Sequence, residues 1–128
     1  MKDRVYLTYP DVLLLQHELI SKFGGQAGLL DPSLLKSALA RPRSGYYDGL
    51  VAEGCALFQS LWLNHAFLDG NKRIALASLD LFFRLNGFRL DISSESNREQ
   101  ILNLRETEVR DFSYLLSIFS KLIKEMRE

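Results

Sequence analysis

A single cysteine, Cys55, is all the thiol chemistry that this 128-residue chain offers. It excludes an internal disulfide and a cysteine zinc site, and it suits a reducing, cytoplasmic setting. Histidine is almost as scarce. His17 and His65 lie far apart in the sequence, so no zinc site can be assembled from them. Neither sign of charge is in excess: lysine plus arginine and aspartate plus glutamate number 16 each. No overall field therefore draws the chain to nucleic acid or an anionic membrane, and direct DNA binding is not expected. Long apolar runs are missing as well. The stretch at residues 12–15 is broken at once by Gln16, His17 and Glu18, which predicts neither a membrane span nor an export signal.

What remains is ordinary globular material, 47% apolar and 25% charged. At this length it is expected to close one hydrophobic core as one domain over residues 1–128. After a β-prone start at residues 5–8, Pro10 and Asp11 open an amphipathic helix carrying Val12, Leu15, Leu19, Ile20 and Phe23, closed by Gly24 and Gly25. Asp31 and Pro32 are an N-cap and first-turn pair for a short second helix that Pro42 stops. Residues 41–49 hold a proline and two glycines around Tyr46 and Tyr47, which suits a loop or a tight β-hairpin.

A largely buried third helix, with Cys55 and Trp62 in the core, is expected over residues 50–64. A break at residues 65–70 precedes a fourth helix over 71–85, apolar around nearly its whole circumference, and Asn86-Gly87 ends it. A charged helix over 94–105 and an amphipathic one over about 111–124 complete an all-α chain of about six helices around the fourth. Asp80 and Arg84, spaced i to i+4, form a pair along it.

The chemistry concentrates at the start of that fourth helix. A buried helix presents unpaired N–H groups and the positive end of its dipole at its N-terminus, which is a ready anion site. Gly70 lets a ligand approach the backbone, and Asn71, Lys72 and Arg73 add donors and two positive charges. Two cations in a first turn oppose the helix dipole, so an anionic partner that offsets the repulsion accounts for them. Asp69 offers a hard oxygen ligand for Mg²⁺ beside a phosphate. His65 can take the proton of an attacking hydroxyl. Phe67, between them, plugs into the core and fixes the loop. A purely structural account makes His65 a helix C-cap, Asp69 an N-cap, and Lys72 and Arg73 solvated charges.

The string H65-A-F-L-D-G-N-K-R73 resembles the signature of the Fic/Doc family, H-x-F-x-D/E-G/A-N-G/K-R. Residues 11–25 (DVLLLQHELISKFGG), 28–42 (GLLDPSLLKSALARP) and 81–87 (LFFRLNG) resemble its death-on-curing, or Doc, branch. The resemblance implies about six helices around a central one and a site for ATP with Mg²⁺. Its Doc members are toxins that phosphorylate a hydroxyl side chain of elongation factor Tu and halt translation. It also implies a flap at residues 41–49, where Tyr46 and Tyr47 would dock the target.

Within the family, AMP-transferring enzymes mostly have Gly at the position of Lys72 and a second Arg at the position of Leu76; both departures are shared by Doc-like chains. The resemblance thus implies transfer of the γ-phosphoryl group, with AMP transfer as the alternative and an inactive nucleotide- or partner-binding module as a second. No Ser or Thr here has Glu four residues later, so the inhibitory S/T-x-x-x-E-G/N helix of many Fic proteins is not encoded. Resemblance to Doc implies instead a separate, Phd-like antitoxin whose tail folds into a groove near the active site.

Overall fold

The computed structural model describes residues 3–127. Their elements are α1 (Tyr9–Phe23), α2 (Pro32–Ala40), a 3-10 turn (Arg41–Arg43), α3 (Leu50–Asn64), α4 (Asn71–Leu85), β1 (Phe88–Leu90), α5 (Glu95–Leu102), α6 (Glu106–Arg110), α7 (Phe112–Leu122) and β2 (Ile123–Glu125). Among the described residues no helix is long and apolar enough to cross a membrane. The expected helices form, with seven in place of about six. The charged segment divides into α5 and α6 because Arg105 starts a new helix, its N–H held by Glu108 at 2.9 Å.

The β-prone start makes no strand. Thr8 N-caps α1 instead, in a reciprocal capping box with Asp11. Upstream of it, Val5 exchanges two backbone hydrogen bonds with the side-chain amide of Asn86, at 2.9 and 2.8 Å, so one amide takes the place of a partner strand. The two strands that do form, β1 and β2, pair antiparallel with Leu90 opposite Ile123, and at three residues each they were not legible as strands. Asp80 helps to place them. Besides binding Arg84 at 2.8 Å it accepts the Leu90 N–H at 2.8 Å, so the intrahelical pair doubles as a latch for β1.

The helix enclosed on all sides is α3, not α4. Residues 53–62 of α3 are buried without a break, whereas α4 leaves Leu85 exposed and Ala77 and Leu81 half-buried. Polar residues within α3 disguise this in the sequence. Each finds a partner on another element: Glu53 accepts from Arg4 and from Tyr6, Gln59 donates to the carbonyl of Val109 at 2.9 Å, and Ser60 accepts from Arg41 at 3.0 Å. Satisfied in this way, they are buried without the desolvation penalty of an unpaired group. The contact of α3 with α4 is the most extensive in the molecule.

Cys55 and Trp62 lie in the core, and His17 is exposed. Burial pushes the Cys55 thiol up to about 12, so thiolate is nearly absent at neutral pH. Native protein is therefore expected to resist a thiol reagent at pH 8 and to take up one equivalent in denaturant. Stoichiometric labelling of the folded chain by mass spectrometry would contradict the burial of α3.

The loop at residues 41–49 is a 3-10 turn followed by bends, so of the two expected forms the hairpin is the one that does not form. The cause is Arg41. It donates to Tyr47 Oη at 2.6 Å and to the Ala56 carbonyl and Ser60 hydroxyl on α3, with its guanidinium over the rings of Tyr47 and Phe112. Tyr47 is thereby committed to the fold, and Tyr46 is left exposed. Both line a groove with Val51 and Ala52 of the first turn of α3, about 20 Å along the helix from its other end at 1.5 Å per residue.

Candidate functional site

The C-terminal end of α3 and the N-terminal end of α4 carry the motif. His65 ends α3 at φ 52 and ψ 48, and it is the one non-glycine residue with positive φ among those described. A left-handed cap favours glycine, because a Cβ there crowds the following carbonyl at a cost of about 1–2 kcal/mol. Strain of this kind persists where the surroundings impose it and gathers at functional sites. It leaves the imidazole exposed at the mouth of the site.

Residues 66–70 then turn back along the segment that joins α1 to α2. The Ala66 carbonyl accepts from Leu30 and Asp31 at 2.8 and 3.1 Å, and Leu68 donates to the Gly28 carbonyl at 3.0 Å. Phe67 is fully buried, as expected of a plug. Asp31, the N-cap of α2, is thus tied to this loop as well. Its carboxyl is held below the usual range by the Ser33 hydroxyl and then by the Leu34 N–H. A depressed pKa of this sort stabilises the fold above the unfolded value and is lost as pH falls through the folded one.

Asn71 has a structural task that its place in the sequence does not reveal. Its amide brackets Phe67, accepting the Phe67 N–H at 3.2 Å and donating to the Phe67 carbonyl at 2.9 Å. One amide N–H of the side chain holds the loop, so Asn71 can still offer an anion its second amide N–H together with its backbone N–H. Gly70, in the left-handed region, is the N-cap of α4, and no side chain caps that end. The first-turn N–H groups of Asn71, Lys72 and Arg73 accordingly lack an intrahelical acceptor.

Asp69 does not serve as the N-cap, contrary to the purely structural account. Its two oxygens accept from Gly70 N–H at 2.8 Å and from Gln26 N–H at 3.3 Å. Lone pairs on both remain for a cation. Among the described residues no cluster of three metal-ligating side chains exists. A lone carboxylate does not make a protein cage, but it fits Mg²⁺ that arrives with substrate phosphates. The C-cap part of the structural account does hold for His65, and Lys72 and Arg73 are exposed. Each cation rests on a ring: Lys72 Nζ lies 5.2 Å from the Trp62 centroid, and the Arg73 guanidinium 4.6 Å from that of Phe23.

Two clefts open on Asp69 and Gly70 of this motif. One of 450 Å³ brings together His65, Leu68, Asp69, Gly70, Asn71, Lys72, Arg73 and Leu102. The other, of 180 Å³, lies between Asp69, Gly70 and Arg73 on one side and Gln16, Ile20, Phe23 and Gly25 on the other. The structure thus gathers His65, Asp69, Gly70, Asn71, Lys72 and Arg73, and it leaves Tyr46 and Tyr47 at the opposite end of α3. Sequence reasoning missed Phe23, Gly25 and Gln26 as neighbours of the site. The only signal there was the glycine pair, which reads equally well as a helix end.

Comparison with known proteins points the same way. A family model described as the Fic/DOC family matches residues 6–83. A protein named Toxin Doc from Mycolicibacterium smegmatis is 38% identical over 94 residues, covering 70% of this chain and 72% of that one. A protein named Protein kinase doc from Escherichia phage P1 is 33% identical over 91 residues, covering 67% and 72%.

Proposed function

This chain belongs to the Fic/DOC family, and on that premise we propose that it is a Doc-like toxin that transfers the γ-phosphoryl group of ATP to a hydroxyl side chain of a protein. The observation that carries the reading is the uncapped start of α4, which presents free N–H groups and two cations beside an exposed histidine. Phosphoryl transfer asks mainly for positioning and charge neutralisation. In this scheme His65 accepts the proton of the attacking hydroxyl. The new bond forms from that oxygen to the γ-phosphorus, the bond from γ-phosphorus to the bridging oxygen breaks, and ADP leaves. The first-turn N–H groups with Lys72 and Arg73 receive the phosphate oxygens. Asp69 would hold Mg²⁺, which supplies further neutralisation of phosphate charge. Leu76, where AMP-transferring relatives mostly carry arginine, favours phosphoryl over AMP transfer.

A regulator also has a place to bind. A groove of 350 Å³ between α1, α4 and α5 has an apolar floor of Leu19, Phe23, Leu76, Ala77, Ile92 and Leu102. Its rim of Glu95, Arg98, Glu99 and Arg73 runs into the motif. An antitoxin tail folding there would reach the site. The target that the family resemblance suggests is elongation factor Tu, and the activity proposed is accordingly cytoplasmic.

Incubation of the chain with a cell lysate and ATP labelled at either the α or the γ position tests the reading. Label is expected in protein from γ-labelled ATP alone. Label from the α position alone would replace phosphoryl transfer by AMP transfer, and nucleotide binding without any transfer would make the chain an inactive binding module.

A further inference from the structure

Arg73 has no carboxylate within ion-pair distance among the described residues. Its directional contact is the ring of Phe23, the last residue of α1. Packing does not account for Phe23, which is 54% exposed. Lys22 places a second cation 5.4 Å from the same ring, and the ring borders both of the clefts that Arg73 shares with α1. Two residues further on, Gly25 has φ +104, and a Cβ there would stand 2.8 Å from Asp69 Oδ2. The next N–H, that of Gln26, donates to the same oxygen. A single turn of backbone therefore touches Arg73 and Asp69 from across the 180 Å³ cleft.

We propose that residues 23–26 are a positioning element of the phosphate site: Phe23 orients the guanidinium of Arg73, and Gly25 with Gln26 sets the carboxylate of Asp69. This rests on the phosphate-binding role assigned above to Arg73. The ring offers Arg73 its negative face without neutralising it, so the cation keeps its full charge for an incoming anion. A carboxylate in that place would compete with the phosphate. Gly25 matters by what it leaves out, since a Cβ there would force the Asp69 carboxylate to shift.

The test is the affinity of the purified chain for ATP with Mg²⁺, measured by calorimetry alongside the thermal midpoint of each variant. Phe23→Leu, which keeps apolar bulk and removes the π face, is expected to weaken binding about two- to five-fold, the range of an exposed cation–π contact. Phe23→Tyr restores it. In an Arg73→Gln background Phe23→Leu should change nothing more, a result that a merely structural ring would not give. Gly24→Ala is the control for Gly25→Ala. Both positions have positive φ, but a Cβ at Gly24 meets nothing within 4 Å, so Gly25→Ala should weaken binding well beyond Gly24→Ala. Were Gly25→Ala to unfold, the Phe23 cycle decides alone. Wild-type affinity in Phe23→Leu while Arg73→Gln is weakened overturns the proposal, as does an effect of Phe23→Leu that persists undiminished in Arg73→Gln, or equal losses at Gly24 and Gly25. If Arg73→Gln itself binds ATP as tightly as wild type, the phosphate reading of the motif falls and this inference falls with it.

Discussion

Replacement of His65 by asparagine is expected to cut protein labelling from ATP by about 10²–10⁴-fold, the usual contribution of a positioned general base, while leaving the fold intact. Asparagine is the informative substitution because, after glycine, it best tolerates the left-handed conformation that His65 adopts as the C-cap of α3. Loss of activity then reports the imidazole and not the turn. Glycine at the same position should go further. It removes the Cβ strain and should stabilise the protein by about 1 kcal/mol, with activity lost to the same extent. A chain that gains stability as it loses function shows that position 65 is held for chemistry. Labelling rates with a synthetic acceptor or a lysate, together with thermal midpoints, check both halves, and undiminished labelling in either variant would remove His65 from the mechanism.

Gly54→Val should destabilise the protein by about 3 kcal/mol, at the upper end for overpacking a core, and lower the thermal midpoint by roughly 10 °C. Gly54 lies inside α3, where a glycine ordinarily costs about 1 kcal/mol relative to alanine. Here the space for a side chain is already taken: a Cβ would fall 2.7 Å from both Leu79 Cδ1 and Phe83 Cε1 of α4. The substitution therefore forces apart the two helices whose ends carry the site, His65 on one and Lys72 and Arg73 on the other. Even Gly54→Ala, favourable by helix propensity, should destabilise. The sign of that effect is the sensitive readout, and a thermal midpoint at or above wild type in Gly54→Ala would show that α3 and α4 do not meet at this glycine.

How much of this was legible beforehand depends on the range of the interaction. The N-cap at Asp31, the stop after Leu85 and the break between α3 and α4 follow from contacts within one turn of chain, and the sequence shows them. Long-range contacts inverted one expectation and added to others. Helix α4 reads as the central one because its side chains are apolar, but α3 is the helix enclosed, its polar groups answered by Arg4, Tyr6, Arg41 and the Val109 carbonyl. Asn71 reads as a donor to phosphate, and its amide also binds both the N–H and the carbonyl of Phe67, a second task that no local pattern shows. Tyr47 reads as part of a flap, and Arg41 ties it in addition to Ala56 and Ser60 of α3.

By itself the sequence determined the helical class, the family and the position of the candidate anion site. Unpaired N–H groups, a dipole and two cations at the start of a helix are properties of one segment, present wherever it packs. Only the tertiary structure decided which groups surround that site and which remain free to act. The pairing of Phe23 with Arg73, of Gln26 with Asp69, and of Leu90 with Asp80 joins residues whose distance in space is set by how helices pack, and no local pattern of side chains records it.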